Sequence, residues 1–96
     1  MRVSQRYERW EGTTIHLTWH CRVKAAERHV SELDIERTVR DAWTRWPGDP
    51  GYGAGRFVHR RAGLEVVTGT PSPTGDVDVI TTYWPDADGC TGGAAA

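Results

Sequence analysis

The chain has 96 residues, of which 38% are hydrophobic and 26% are charged, which indicates one small globular domain rather than a disordered chain. No apolar run approaches the roughly 20 residues of a membrane-spanning helix, so we expect no membrane partner. All 12 lysines and arginines lie at or before Arg61, whereas residues 62–96 carry acids and no bases. This asymmetry favours a polyanion-binding surface in the first two thirds of the chain, with an ordinary solvated surface as the alternative.

The first third of the chain predicts a short strand and one helix. Alternating residues over 3–9 allow a strand, which would end at a turn. Thr18 is a favourable N-cap residue, and the apolar residues that follow recur at helical spacing, so we expect a first helix over roughly 18–29. This spacing includes Trp19 in the apolar stripe and therefore in the core.

A second helix is predicted directly after the first. Ser31 can cap its N-terminus, and Pro47-Gly48 would end it. Its apolar stripe is formed by Ile35, Val39, Ala42, Trp43 and Trp46. We expect Trp43 and Trp46 to be buried, so that Trp43→Ala would cost about 3–5 kcal/mol of stability.

Three antiparallel strands are predicted after a glycine-rich loop over residues 47–55. They cover 56–61, 64–70 and 77–84, and Ala62-Gly63 suits a tight turn between the first two. A strand over 3–9 would make a fourth. The sequence thus predicts an α+β domain over residues 1–85, with two helices packed on a three- or four-stranded antiparallel sheet, followed by a flexible Gly/Ala-rich tail over 86–96.

One side of the first predicted helix is basic. His20, Lys24 and Arg28 are spaced by four residues, so they would lie beside one another. Because aligned cations repel, a bound anion would explain the arrangement. A solvated surface on which Glu27 compensates Lys24 is the alternative.

The segment from His20 to Ser31 resembles the helix signature H-A-x-x-R-x-x-x-R-G-[IV]-S of a small uncharacterised bacterial domain family. It departs from that pattern at Cys21, Lys24 and His29, which stand for Ala, Arg and Gly. Members continue with a basic hairpin and end on a V-[VI]-T-x-Y strand, which here is Val79-Ile80-Thr81-Thr82-Tyr83.

The layout of that family is similar to the barnase–EndoU–colicin–RelE (BECR) class of compact ribonuclease toxins. The resemblance implies a BECR/RelE-like fold and a bacterial RNA-cleaving toxin of the toxin–antitoxin or effector type. It also implies a cognate antitoxin or immunity protein as a partner.

RNA cleavage without a metal needs a base, an acid and cations that stabilise the phosphorane. His20 and His59 are the candidate bases, because histidine titrates near neutrality. Arg28 would bind phosphate, and the hydroxyls of Thr81 and Tyr83 would assist, although Tyr83 could equally be a half-buried sheet aromatic. We expect His20, Arg28 and Tyr83 to face one cleft between the first helix and the sheet.

The residues expected to bind RNA are Lys24, Arg56, Arg60, Arg61 and Trp10. Trp10 is the candidate base-stacking platform, although core or interface packing is the favoured interpretation of this residue. His16 and His20 have a metal-ligand spacing, but the residue after His16 is not the glutamate of zinc-binding helices, so we expect no metal or other cofactor.

The sequence therefore favours a metal-independent endoribonuclease that cleaves RNA by attack of a 2′-OH on the adjacent phosphate. Its first six residues lack the apolar stretch of a secretion signal, and we expect it to act in the cytoplasm. The alternative is a non-catalytic phage or mobile-element module of the same fold that docks on nucleic acid or on a host protein.

Overall fold

The computed structural model describes residues 10–85, except for the side chain of Tyr52. The strand predicted over 3–9 and the tail predicted over 86–96 lie outside the described residues. Short 3-10 turns cover Trp10–Gly12 and Pro50–Tyr52. The other elements are β1 (Thr14–Leu17), α1 (Trp19–Glu27), α2 (Glu32–Arg40), β2 (Thr44–Pro47), β3 (Phe57–Arg61), β4 (Leu64–Thr68) and β5 (Asp76–Tyr83).

The α+β class is confirmed, but the sheet differs from the prediction. It is a mixed sheet of five strands in the order β1-β5-β4-β3-β2. β1 runs parallel to β5, and the other neighbouring strands are antiparallel. The helices carry the chain from β1 to the opposite edge, and the chain then returns strand by strand, so its last strand lies beside β1.

Both helices begin at the predicted caps. The Thr18 hydroxyl accepts a hydrogen bond from the Cys21 amide at 3.1 Å, and the Ser31 hydroxyl accepts one from the Asp34 amide at 3.0 Å. Between the helices, His29 has a φ of 57°, a left-handed conformation that favours glycine. The sharp turn therefore forms although histidine stands at this position.

The second helix is shorter than predicted, because α2 ends at Arg40 rather than at Pro47. The side chain of Arg45 turns back and donates from Nη2 to the carbonyl oxygens of Val39 at 2.6 Å and Arg40 at 3.1 Å. These are carbonyls of the last turn, which have no partner inside the helix. The segment that would have continued the helix instead pairs with β3 as the edge strand β2.

Three tryptophans predicted for the core are exposed. The exposed fractions are 79% for Trp19, 70% for Trp43 and 36% for Trp46. The helical spacing of Trp43 and Trp46 has no structural meaning, since neither residue lies on a helix. The predicted cost of about 3–5 kcal/mol for Trp43→Ala is therefore wrong. The side chain of Trp43 is mostly exposed, so its removal leaves no large cavity.

The predicted meander of three strands is confirmed, with its first turn at Ala62-Gly63. Both turn residues have positive φ, 53° and 86°. Such a pair matches the right-handed twist of a two-residue hairpin. This turn fixes the pairing of β3 with β4, in which Arg60 lies opposite Glu65 and Arg61 opposite Leu64.

Both helices pack against one side of the sheet and enclose the core there. The buried apolar residues are Trp10, Cys21, Ala25, Val30, Ile35, Val39, Leu64, Val66, Val77 and Val79. Alternation along the strands directs their neighbours to the other side of the sheet, which we call the open face. Its side chains include Thr44, Trp46, Val58, Arg60, Glu65, Val67, Thr81 and Tyr83.

A β-bulge in β5 changes which residues reach the open face. Thr68 pairs with Val79, whereas the preceding Val67 pairs with Thr81, so one extra residue lies in β5. Such an insertion reverses the alternation beyond it. Thr81 and Tyr83 therefore point away from the helices, whereas strict alternation along β5 would put them on the side of Val77 and Val79.

Neither helix within residues 10–85 combines the length and the apolar composition needed to cross a lipid bilayer.

Candidate active site

The cleft predicted from His20, Arg28 and Tyr83 does not form. His20 is exposed on α1, which packs on the helix side of the sheet. Tyr83 lies on the open face, beyond the bulge. Because the sheet separates the two side chains, they cannot act on one phosphate.

Arg28 joins the end of α1 to β5. Its Nη1 donates to the carbonyl oxygen of Thr82 at 2.8 Å, and its own carbonyl oxygen accepts from Nε1 of Trp84 at 2.9 Å. β1 ends opposite Val79, so these bonds hold the helix against the part of β5 that β1 does not reach. These contacts indicate a structural role for Arg28.

Arg28→Ala is expected to lower the free energy of unfolding by about 1.5–3 kcal/mol, since a charge-assisted hydrogen bond to the backbone is lost. Urea denaturation measures this change. Lys24→Ala is the matched control on the same helix, because Lys24 pairs with Glu27 at 3.4 Å on the surface, and such pairs contribute little. Wild-type stability of Arg28→Ala together with weakened RNA binding would restore the phosphate role.

His59 is a buried structural residue rather than an accessible base. It is 0% exposed. Its Nδ1 accepts a hydrogen bond from Nε of Arg45 at 3.0 Å, so the proton resides on Nε2, which lies 2.8 Å from the Thr68 hydroxyl. Burial lowers the pKa of His59 to about 3, with a further contribution from the positive charge of Arg45. His59 is therefore neutral, mainly because of desolvation, and RNA cannot reach the ring.

Trp10 cannot be a base-stacking platform, because it is 3% exposed. Its ring packs edge-on against His59, with ring centroids 4.4 Å apart, and against Phe57 at 5.5 Å. The favoured interpretation, core packing, is the one observed.

The three arginines predicted to bind RNA around β3 do not share a side of the sheet. Arg61 points to the helix side, where its guanidinium lies 5.6 Å from the ring centroid of Trp43. Arg56 precedes β3, and its guanidinium occupies the space that a Cβ at Gly53 would need. Arg60 lies on the open face. Of these three candidates, Arg60 is therefore the one that shares a side of the sheet with Tyr83 and Thr81.

A row of three polar side chains crosses the open face at one level. Arg60 on β3 pairs with Glu65 on β4, and Glu65 pairs with Tyr83 on β5. Directly opposite residues in an antiparallel sheet have Cβ atoms about 5 Å apart. Nη1 of Arg60 lies 3.4 Å from Oε2 of Glu65. The row thus joins a guanidinium, a carboxylate and a phenol on three neighbouring strands.

Glu65 is the member of this row that our sequence reasoning missed. It is 8% exposed and stands between apolar residues in the strand Leu64–Thr68, where a carboxylate is unusual. The signal was present in the sequence, since a two-residue turn at Ala62-Gly63 places Glu65 opposite Arg60.

Searches against protein-family models, curated proteins and solved structures found no match. The resemblance to the bacterial domain family therefore stays a prediction.

Proposed function

We propose that the protein is a metal-independent endoribonuclease whose reacting groups are the row Arg60, Glu65 and Tyr83. The single observation that carries this proposal is the register that aligns these side chains on three adjacent strands. A carboxylate can act as a base, a guanidinium can bind a phosphate, and a phenol can donate a proton. These are the groups that cleavage by an internal nucleophile requires.

In the proposed reaction, Glu65 removes the proton of a 2′-OH, and the 2′-oxygen attacks the adjacent phosphorus. Arg60 stabilises the negative charge that builds on the phosphoryl oxygens. The bond between phosphorus and the 5′-oxygen breaks, and the leaving oxygen takes a proton from the phenol of Tyr83. The products are a 2′,3′-cyclic phosphate and a 5′-hydroxyl. No step uses a metal ion.

The position of the row supports the proposal. Both helices pack on the opposite side of the sheet, so the row lies on the side that the helices leave uncovered. Glu65 lies between the other two side chains, one strand away from each, and strands are about 4.8 Å apart. A phosphodiester lying across the row would have the base and the cation on one side and the acid on the other.

The same proposal includes a BECR/RelE-like fold and a toxin role, which the sequence resemblance implies. The supporting feature of the fold is the order of its elements: one strand, two helices, and then a meander that ends beside the first strand. A ribonuclease of this kind harms its own cell unless it is restrained. We therefore propose a cognate antitoxin or immunity protein as its partner.

The test is incubation of the protein with total RNA and with transfer RNA in the presence of EDTA. We expect discrete cleavage products that appear at the same rate with and without the chelator. Intact RNA with retained binding would instead support the non-catalytic nucleic-acid-binding module. Intact RNA without binding would contradict both functions.

A further inference from the structure

Trp46 is an aromatic residue of the open face that lies beside the proposed reacting row. It pairs with Val58 on β3, two residues from Arg60 on the same side of that strand. Two residues along a strand span roughly 7 Å. Trp46 is 36% exposed, so protein atoms cover most of the side chain while part of it stays accessible. Its partner Val58 is buried beside it. Trp46 and Val58 together form an apolar strip on the open face, next to the charged row.

We infer that Trp46 stacks on an unpaired base of the RNA substrate, next to the phosphate that is cleaved, so that the substrate is single-stranded. This inference rests on the proposed ribonuclease function and adds the substrate class. RNA alternates an anionic phosphate with a flat apolar base. The open face presents a cation at Arg60 and an aromatic surface at Trp46 within about 7 Å, which is the combination that single-strand binding proteins use.

The residues around Trp46 favour an RNA base over a protein as its partner. Arg60 lies two residues along β3 from Val58, the strand partner of Trp46, so a cation is available for the phosphate next to a stacked base. A base in a duplex already stacks on its neighbours and is unavailable to an indole in a sheet. Because Trp46 can stack only on an unpaired base, we expect the protein to select single-stranded RNA.

Trp43 provides a matched control three residues away. It is 70% exposed, more than Trp46, but its ring lies on the helix side near the guanidinium of Arg61. Both are surface tryptophans at the same edge of the sheet, and they differ in the side that they face. Replacement of Trp43 therefore reproduces the loss of an exposed indole without touching the open face.

The experiment compares the wild type with Trp46→Ala, Trp46→Phe and Trp43→Ala. Binding is measured by fluorescence anisotropy with a labelled single-stranded 2′-O-methyl oligonucleotide, which cannot be cleaved by 2′-OH attack. Cleavage kinetics are measured with the matching RNA, single-stranded and annealed to its complement. Thermal unfolding of each variant confirms that it is folded, and Trp46→Phe serves as the conservative variant if Trp46→Ala is unstable.

We expect Trp46→Ala to weaken binding and raise KM by about tenfold or more, with kcat changed less than KM. Trp46→Phe should restore most of the affinity, Trp43→Ala should stay within about twofold of the wild type, and the duplex should be cleaved at least about tenfold more slowly. Equal binding by the wild type and Trp46→Ala would overturn the inference. Binding that depends on Trp46 without RNA cleavage would overturn the ribonuclease function and leave the base-stacking role standing. Absence of binding would overturn both.

Discussion

Glu65→Gln is expected to reduce the rate of RNA cleavage by a factor of about 100 to 10,000 while the protein stays folded. Glutamine has nearly the same size as glutamate, and its amide oxygen can still accept a hydrogen bond from Arg60. It cannot take the proton of a 2′-OH, so the loss falls on the chemical step. Initial rates with a fluorescent RNA oligonucleotide, with the folded state followed by circular dichroism, measure this effect.

Asp78→Asn is the matched control for that substitution. Asp78 is exposed, points to the open face from β5, and lies before the bulge, away from the row. Removing its charge changes the open face by the same amount without touching the proposed base. Cleavage by Asp78→Asn should stay within about threefold of the wild type, a difference of less than 1 kcal/mol. Wild-type activity of Glu65→Gln would exclude Glu65 as the base.

Acid is expected to destabilise the protein through His59. The pKa of this residue is about 3 in the folded protein and 6.5 in an unfolded chain. Below pH 6.5 the unfolded state therefore binds a proton that the folded state does not, so stability falls as the pH falls from 6.5 to 3. The contribution is about 2 kcal/mol by pH 5 and about 4–5 kcal/mol in full, since one pKa unit corresponds to 1.36 kcal/mol.

Urea denaturation between pH 7 and pH 5 isolates this contribution, because most carboxylates titrate at lower pH. His59→Gln should show a shallower pH dependence than the wild type by about 2 kcal/mol over this range. Equal slopes for the wild type and His59→Gln would show that His59 takes up a proton in the folded protein as readily as in the unfolded chain, and would contradict its buried structural role.

The sequence predicted those elements whose ends are determined by residues close together in the chain. The N-caps Thr18 and Ser31 fixed where the helices begin, and the turn at Ala62-Gly63 fixed the hairpin. The edge strands were missed for a common reason. β1 and β2 have four residues each, and each is stabilised by pairing with another strand. β1 pairs with β5 near the other end of the described residues, and β2 pairs with β3 across the loop over 48–56. Tertiary pairing of this kind overrides a helical spacing of apolar residues.

The site was predicted less well than the fold, because it depends on which side of a strand each residue faces. Alternation along β3 accounts for His59 and Arg61 on the side opposite to Arg60. The same rule failed for Tyr83, because the bulge adds one residue that leaves no clear trace in the sequence. Burial of His59 could not be inferred either, since it depends on the side chain of Arg45, which donates hydrogen bonds to His59 and to the end of α2.

The most direct test of the proposed open-face ribonuclease is the chemical nature of the ends that it leaves on RNA. A defined oligonucleotide is incubated with the protein in EDTA, and the products are identified by mass spectrometry. We predict a 5′ fragment that ends in a 2′,3′-cyclic phosphate and a 3′ fragment with a 5′-hydroxyl, both absent with Glu65→Gln. Intact RNA, fragments with 5′-phosphate ends, or cyclic phosphate formed equally by Glu65→Gln would contradict the proposed mechanism.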